Sequence, residues 1–486
     1  MSQEIKGLKP ALLWNFFYDL TRIPRPSGKE GKIIDYVKNF GEKRGLETVV
    51  DEVGNIIIKK AATPGMENRK VTVLQGHLDM VPQKNSEKQH DFENDPIETF
   101  IDDQWVRARD TTLGADNGIG VAAALAVLDS EDLVHGPVEA LFTVDEETGM
   151  TGAFGLKKGL LDGDIMLNTD SEDEGELYVC CAGGMDANIT FSFTRAEVPA
   201  NSLAFEIGVS GLKGGHSGLD IALGRGNANK LLFRFLKYAA RELDAELAGI
   251  DGGSLRNAIP REAHAIVIIP SGKEKQLESA IKEYEKIYRH ELSAVEPDLI
   301  LKLKKTDPPS GLIDRETMNR LINGVLACPN GVIRMSNSMP GLVETSTNLA
   351  RVISGQGKIE LQCLMRSSVD SSKDELAGIM ESVFTLAGAT IDFDGAYPGW
   401  KPDMNSEILN VMKKVYKALY GKIPDVKAIH AGLECGLIGG VYPVLDMISF
   451  GPTIRNPHSP DEKVHIESVL KFWNFLVETL KNIPVK

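Results

Sequence analysis

Val71-Thr-Val-Leu-Gln-Gly-His77-Leu-Asp79 is the stretch from which the fold of this chain is read. A β-branched apolar run ends abruptly in an imidazole and a carboxylate, as a buried strand does when it delivers polar groups at its carboxyl end. The pattern recurs. Val138-Glu-Ala-Leu-Phe-Thr-Val runs into Asp145-Glu146-Glu147, and Ile165-Met-Leu-Asn-Thr runs into Asp170. Near the C-terminus Val444-Leu-Asp-Met-Ile-Ser-Phe stops at Gly451-Pro452, with His458 in the loop beyond. Helical stretches (117–130, 151–158) separate several of these strands, so the expectation is an α/β fold with a mostly parallel central sheet flanked by helices. In such sheets ligands bind beyond the carboxyl ends of the strands, where these polar residues fall.

Working outward, residues 8–23 read as an amphipathic helix that stops at Pro24 and Pro26. Ser27 is predicted to cap a second helix running to about residue 44, with Glu30 completing a capping box. Short strands at 46–51 and 54–60 follow. Residues 186–396 behave differently, with alternating strands (188–193, 204–209, 263–269, 358–365) and long helices (227–247, 273–290). The ligand-type residues before this segment find their partner, His458, only after it. The expected organisation is therefore a discontinuous catalytic domain (1–185 and 397–486) interrupted by an inserted α+β lid domain (186–396).

The 486 residues, 42% hydrophobic and 25% charged, suit large buried cores and exclude disorder, collagen and small disulfide scaffolds. Lys and Arg number 54 against 69 Asp and Glu, a net charge of −15. That surplus repels phosphate backbones and anionic lipid, so neither nucleic acid nor membrane is expected as a partner. It also leaves carboxylates available to divalent cations. The longest apolar runs, such as 121–128, fall far short of the roughly 20 residues of a membrane helix, and no basic-then-apolar leader opens the chain. The five cysteines (180, 181, 328, 363 and 435) contain no Cys-x-x-Cys pair. Such a sparse set fits reduced thiols in the cytoplasm.

The strongest chemical signal is the ordered set His77-x-Asp79, Asp116, Glu146-Glu147, Asp170 and His458. Two neighbouring divalent cations need imidazole nitrogens, terminal carboxylates and one carboxylate that spans both. Each cation can take one His and one acid, His77 with Asp170 and His458 with Glu147, while Asp116 bridges. Asp79 can accept the other ring N–H of His77 and fix its orientation. Glu146 is then left to take a proton from a bridging water.

Other motifs carry less. Gly214-Gly-His216-Ser-Gly218 is either a tight turn or a histidine that reaches a developing oxyanion. Ser217 lacks the glycine that a Gly-x-Ser-x-Gly nucleophile requires, because Leu219 stands there. Gly118-x-Gly120-x-x-Ala123 matches a dinucleotide fingerprint but follows a polar loop instead of a strand, which argues against a nicotinamide or flavin. His264 is expected to be structural, His465 to open the C-terminal helix (466–483), and His430 to line the site or to pack beside it.

The motifs His77-Leu-Asp79-Met, Thr112-Leu-Gly-Ala-Asp116-Asn-Gly, Asp145-Glu-Glu-Thr-Gly149, Asn168-Thr-Asp170 and Pro457-His458-Ser-Pro-Asp closely resemble the cytosolic aminoacyl-histidine (Xaa-His) dipeptidases. These belong to the di-zinc metallopeptidase family that includes carnosinases and aminoacylases. Leu255-Arg-Asn257-Ala-Ile-Pro-Arg-Glu, Val343-Glu-Thr-Ser, Ala396-Tyr-Pro-Gly-Trp400 and His430-Ala-Gly-Leu-Glu-Cys-Gly436 match as well, so the resemblance spans the chain. One departure is Asp110, where glycine is expected.

The resemblance implies two divalent metal ions, most readily Zn2+ with Co2+ or Mn2+ as alternatives, held by His77, Asp116, Glu147, Asp170 and His458. It implies a cis peptide between Asp116 and Asn117, Glu146 as general base and acid, and Asp79 as support for His77. From the lid, His216, Asn257 and Arg366 would engage a dipeptide, Arg366 by a bidentate grip on its C-terminal carboxylate. Gly432 and Glu434 would line the pocket on the catalytic side. The expected activity is metal-dependent hydrolysis of Xaa-His dipeptides in the cytoplasm. An N-acyl-amino-acid deacylase or a broad-specificity dipeptidase on the same centre is the nearest alternative, and a non-catalytic metal-binding protein a more distant one. A homodimer is left open.

Overall fold

In a computed structural model, which describes residues 2–486, the polar-tipped runs become neighbouring strands. The chain divides into two units. The first runs to Cys180 and takes in Pro402–Ala428 and Leu433–Lys486, and the second comprises Cys181–Lys401 with Ile429–Gly432.

The first unit is built on an eight-stranded sheet. Its strands are β1 (Glu47–Val50), β2 (Ile56–Lys60), β3 (Thr72–His77), β4 (Val138–Thr143), β5 (Ile165–Asn168), β6 (Glu176–Cys181), β7 (Asp425–Ile429) and β8 (Asp446–Ser449). The spatial order is β1-β2-β4-β3-β5-β8-β6-β7. The central neighbours β4, β3, β5 and β8 run parallel, whereas β1–β2, β2–β4 and β8–β6 are antiparallel. Every residue of β3, β4 and β5 is buried. That explains their near-continuous apolar character, since a parallel sheet is covered on both faces. The helix Ala115–Asp129 is buried along nearly its whole length, and it begins at the residue before Asp116. In register, His77 pairs with Thr143 and Gln75 with Asn168, so the ends of three strands lie level with one another.

The second unit is α+β. Its nine-stranded sheet runs Ile300–Lys305, Ser202–Ser210, Ala263–Pro270, Glu246–Gly252, Val343–Gly355, Lys358–Ser367, Gly183–Ser192 and Thr390–Tyr397, with Gly331–Met335 added against Val343–Gly355. The described pairings are antiparallel. The helices Ala228–Glu242, Glu274–Glu291, Arg315–Ala327 and Asp370–Leu386 share one hydrophobic core with the sheet, including Phe233, Phe235, Leu321 and Phe384.

Three local expectations are corrected. Ser27 does not cap a helix: the helix is Gly31–Lys43, with no side-chain cap bond at its start. Ser27 Oγ instead donates to Asp79 Oδ2 (2.8 Å), and Glu30 Oε1 accepts from the Gly28 and Asp145 amides (2.8 and 3.1 Å). The helix expected over 227–247 ends at Glu242, where Leu243 and Asp244 (φ +51°) turn the chain into the strand Glu246–Gly252. Leu243, Ala245 and Leu247 are all buried, so apolar spacing runs through the boundary and does not mark it. The helix expected over 151–158 spans only Thr151–Gly155. Among the described residues no helix is long and apolar enough to cross a membrane.

Leu74 is fully buried on the face of β3 opposite His77. Leu74→Ala is expected to lower unfolding free energy by about 2–5 kcal/mol through lost burial and cavity formation. Chemical denaturation of the variant checks this.

Candidate metal centre

Strand ends bring the seven ordered residues together in the first unit. His77 closes β3 and is buried. Its Nδ1 lies 3.2 Å from Asp79 Oδ1, while its Nε2 lies 3.1 Å from Asp116 Oδ1 and 3.3 Å from Asp170 Oδ1. His458, half-exposed, places Nε2 2.9 Å from Glu147 Oε2 and 3.4 Å from Asp116 Oδ2. The two oxygens of Asp116 thus face two different histidines. One donor set is His77, Asp116 and Asp170, and the other is Asp116, Glu147 and His458.

The donor chemistry fits divalent cations. Metal bonds of about 2.0–2.2 Å in a tetrahedral arrangement put neighbouring ligand atoms about 3.3 Å apart, close to the imidazole-to-carboxylate separations here. Glu147 Oε1 is buried and has no hydrogen-bond partner among the described residues, and an orphaned buried carboxylate oxygen is costly unless a cation meets it. Negative charge dominates the cluster. Burial works against a charged His77, but the surrounding carboxylates, led by Asp170, hold its pKa well above the usual value. Hydrogen bonds to Asp116 and Glu147 lift His458 to about 11. Asp170 is pushed up to about 6 by burial and by the neighbouring Asp116 and Glu147.

Asp79 stands behind the first set. It is fully buried, yet hydrogen bonds from His77, Ser27 and the Glu146 amide hold its carboxyl at about 2 against the desolvation that would raise it. It accepts both the Glu146 and Glu147 amides (3.1 and 3.2 Å), so one carboxylate orients His77 and the turn that carries the two glutamates. Glu146 is in neither Asp116-centred set, although it and Glu147 also lie within reach of His77. Burial, with the nearby Asp170, Glu434 and Glu147 charges, raises its pKa well above the ordinary carboxylate range. A proton acceptor near neutral pH needs such a shift.

The Asp116–Asn117 peptide bond is cis. Asn117 Nδ2 donates to the Thr169 carbonyl and to Asp170 Oδ1, both at 2.8 Å. Glycine at 120 is what permits this packing: a Cβ there would lie 2.2 Å from Thr169 Oγ1 and 2.4 Å from Asn117 Oδ1. The apparent dinucleotide motif is a close-packing device at the start of a buried helix.

Several residues at this centre carry no motif. Arg25 is buried and donates to the carbonyls of Leu78, Asp79 and Gly114 at 2.9, 2.8 and 2.5 Å. Glu462, also buried, accepts from the amides of Leu113, Gly114, Ala115 and Asp116 at 2.7, 2.9, 2.7 and 3.3 Å. Burial pushes Glu462 up to about 7 although those amides pull the other way. Glu172 is pushed to about 8 by burial and by Asp116 and Asp170. The only available hints were a lone arginine between Pro24 and Pro26 and acids inside charged runs, and neither has a spacing that marks it.

Glu434 belongs to this unit. It is fully buried, and its Oε2 accepts from Gln75 (2.6 Å) and Thr143 (2.7 Å), while Oε1 has no hydrogen-bond partner among the described residues. Burial, with Asp170 adding, raises it to about 7.

The remaining expected residues lie in the second unit. His216 sits in a two-residue strand paired with Ala258–Ile259. Its Nδ1 accepts from the Gly218 and Leu219 amides (3.2 and 3.1 Å), and burial with the nearby Arg366 charge lowers its pKa. With Nδ1 accepting, Nε2 is left as the ring's N–H donor. Arg366, buried, reaches Tyr397 Oη through Nη1 (3.3 Å) and leaves Nε without a partner. Gly218 brings this group together: a Cβ there would lie 2.1 Å from the His430 carbonyl and 3.2 Å from both Arg366 Nε and His216 Cε1. His430, held to about 3 by burial and by Arg366, is hydrogen-bonded to Ser346 Oγ at 2.7 Å. Asn257 is exposed and uses its carbonyl to accept from the Ser217 amide (2.8 Å). Gly432 ends the short segment Ile429–Gly432. His264 pairs with Glu206 on the sheet (3.3 Å), and His465 caps the C-terminal helix by accepting from the Ser468 amide (3.3 Å).

Residues 73–482 match the profile of Peptidase family M20/M25/M40. Over 486 residues, 99% of this chain and 100% of the other, the sequence is 50% identical to the cytosol non-specific dipeptidase of Escherichia coli K12. The crystal structure of aminoacylhistidine dipeptidase from Vibrio alginolyticus superposes with a TM-score of 0.96 at 50% identity, covering 100% of both chains. An aminopeptidase from Bacillus cereus shares the fold at 16% identity, with a TM-score of 0.57 over 98% of this chain and 99% of that one.

Asp79→Asn is expected to weaken cation binding about 10–100-fold, because the amide cannot accept from His77 and both backbone amides as the carboxylate does. Titration of the metal-stripped variant with Zn2+ measures the change.

Proposed function

The chain belongs to Peptidase family M20/M25/M40, a metallopeptidase family, and we propose that it hydrolyses dipeptides, Xaa-His substrates among them, at a two-cation centre in the cytoplasm. The observation that carries this reading is the pair of donor sets sharing Asp116, with Glu146 beside them and unused by either. The names of the two 50%-identical relatives support dipeptides as substrates and the cytosol as the compartment. The name "non-specific" also favours a broad dipeptide range over a strict demand for C-terminal histidine.

His77, Asp170 and Asp116 would hold one cation, and His458, Glu147 and Asp116 the other. Zn2+ suits these ligands, and Co2+ or Mn2+ can replace it. When bound, the cations polarise the scissile carbonyl and lower the pKa of the attacking water. Glu146 takes the proton of that water and returns it to the departing amine. Asp79 keeps His77 oriented and holds the Glu146–Glu147 turn. The proposal gives His216 the oxyanion, since its ring, with Nδ1 taken up by two amides, offers Nε2–H as a donor. Arg366 takes the C-terminal carboxylate, and Asn257, Gly432 and Glu434 complete the substrate contacts.

Glu146→Gln is expected to retain two equivalents of Zn2+ and to lose about 10²–10⁴ in kcat. Metal analysis beside a dipeptide assay tests this, and full turnover in the variant removes Glu146 from the mechanism. A substrate panel separates the rivals. β-Ala-His and other free-amine dipeptides should be cleaved and acetyl-His spared, and chelation should abolish every activity. Preferential cleavage of acetyl-His would make the protein a deacylase.

A further inference from the structure

We propose that Glu462 is the positioning residue of the second cation site, the one formed by His458, Glu147 and Asp116, as Asp79 is for the first. This rests on the two-cation reading above.

The loop 113–116 presents four successive amides to one carboxylate, two to each oxygen. Gly114, at φ +70°, lets the backbone curl so that these N–H groups converge, a concave arrangement suited to an anion. The anion is supplied from the same loop that carries His458, four residues upstream. Glu462 therefore ties the backbone of Asp116 to the segment that delivers the second histidine. Two of that site's three ligands, Asp116 and His458, depend on the tie, whereas Glu147 is held separately by Asp79. Arg25 completes the frame by donating to the Gly114 carbonyl of the same loop.

His77 is set by another route. It ends β3, and Asp79 accepts its Nδ1 proton. Removing Glu462 should thus act unequally on the two sites. In Glu462→Gln one oxygen must serve donors that now use two, and the –NH2 group faces amides that can only donate. His458 and Asp116 would lose their common anchor, and His77, Asp79 and Asp170 would keep theirs.

The test is calorimetric titration of the metal-stripped, full-length protein with Zn2+, comparing wild type, Glu462→Gln, Glu462→Asp, Asp79→Asn and His458→Ala. The expected result is two binding steps in wild type. The step that His458→Ala abolishes is weakened about 10–100-fold in both Glu462 variants, more than the other step, which feels the change only through the shared Asp116, whereas Asp79→Asn weakens that other step the more. Raising Zn2+ should restore kcat in the Glu462 variants with the dipeptide KM unchanged. In wild type, hydrogen exchange at the amides of 113–116 should slow on filling that same step, a readout that needs no variant.

Unchanged steps in the Glu462 variants, equal weakening of both steps, or exchange at 113–116 indifferent to metal each overturn the proposal while leaving the two-cation reading intact. A simple loss of thermal stability with both affinities preserved counts as an overturning result. A wild-type protein that binds fewer than two equivalents overturns the two-cation reading, and this proposal falls with it.

Discussion

Everything at the candidate metal centre follows from one electrostatic constraint: five carboxylates and two imidazoles are held together on strand ends, loops and the first turn of the helix Ala115–Asp129, with too little positive charge to balance them. Asp116 expresses this most directly, because its two oxygens face His77 and His458 separately. Like charges crowded into a poorly hydrated place separate, protonate or bind cations. The scaffold prevents separation. The raised pKa values of Glu146 and Asp170 and the cationic pull on both histidines show the cluster demanding positive charge.

The scaffold resists because the ligands are anchored through backbone as well as side chain. Asp79 binds the amides of Glu146 and Glu147, Glu462 binds the amides of 113–116, and Arg25 binds the carbonyls of Leu78, Asp79 and Gly114. These are buried charged groups satisfied largely by peptide dipoles. Such an arrangement fixes chain segments to within hydrogen-bond tolerance without competing for the ligand atoms themselves. Glycine at 120 serves the same end by letting Asn117 and Thr169 close on the turn that presents Asp116.

Legibility from sequence followed the range of each interaction. The strand runs and their polar tips could be read because period and burial are local properties, and the candidate cation donors could be named because His and carboxylates share one chemistry. Ser27 and Glu30 misled for the same reason. Their spacing is that of a capping box, but both side chains are taken by partners distant in sequence, Asp79 and Asp145. The helix over 228–242 was read too long because buried apolar residues continue across the switch into a strand.

The amino-acid sequence by itself therefore determined the α/β class, the parallel centre of the sheet and the identity of the side chains able to bind cations, because periodicity and side-chain chemistry are carried by neighbouring residues. Tertiary structure alone decided that Asp116 turns one oxygen to each histidine, that Glu146 stands outside the two donor sets that share Asp116, and that Arg25 and Glu462 brace the loops. Those facts depend on contacts such as Glu462 with Leu113, 349 residues apart in the chain, whose partners nothing in either local segment specifies.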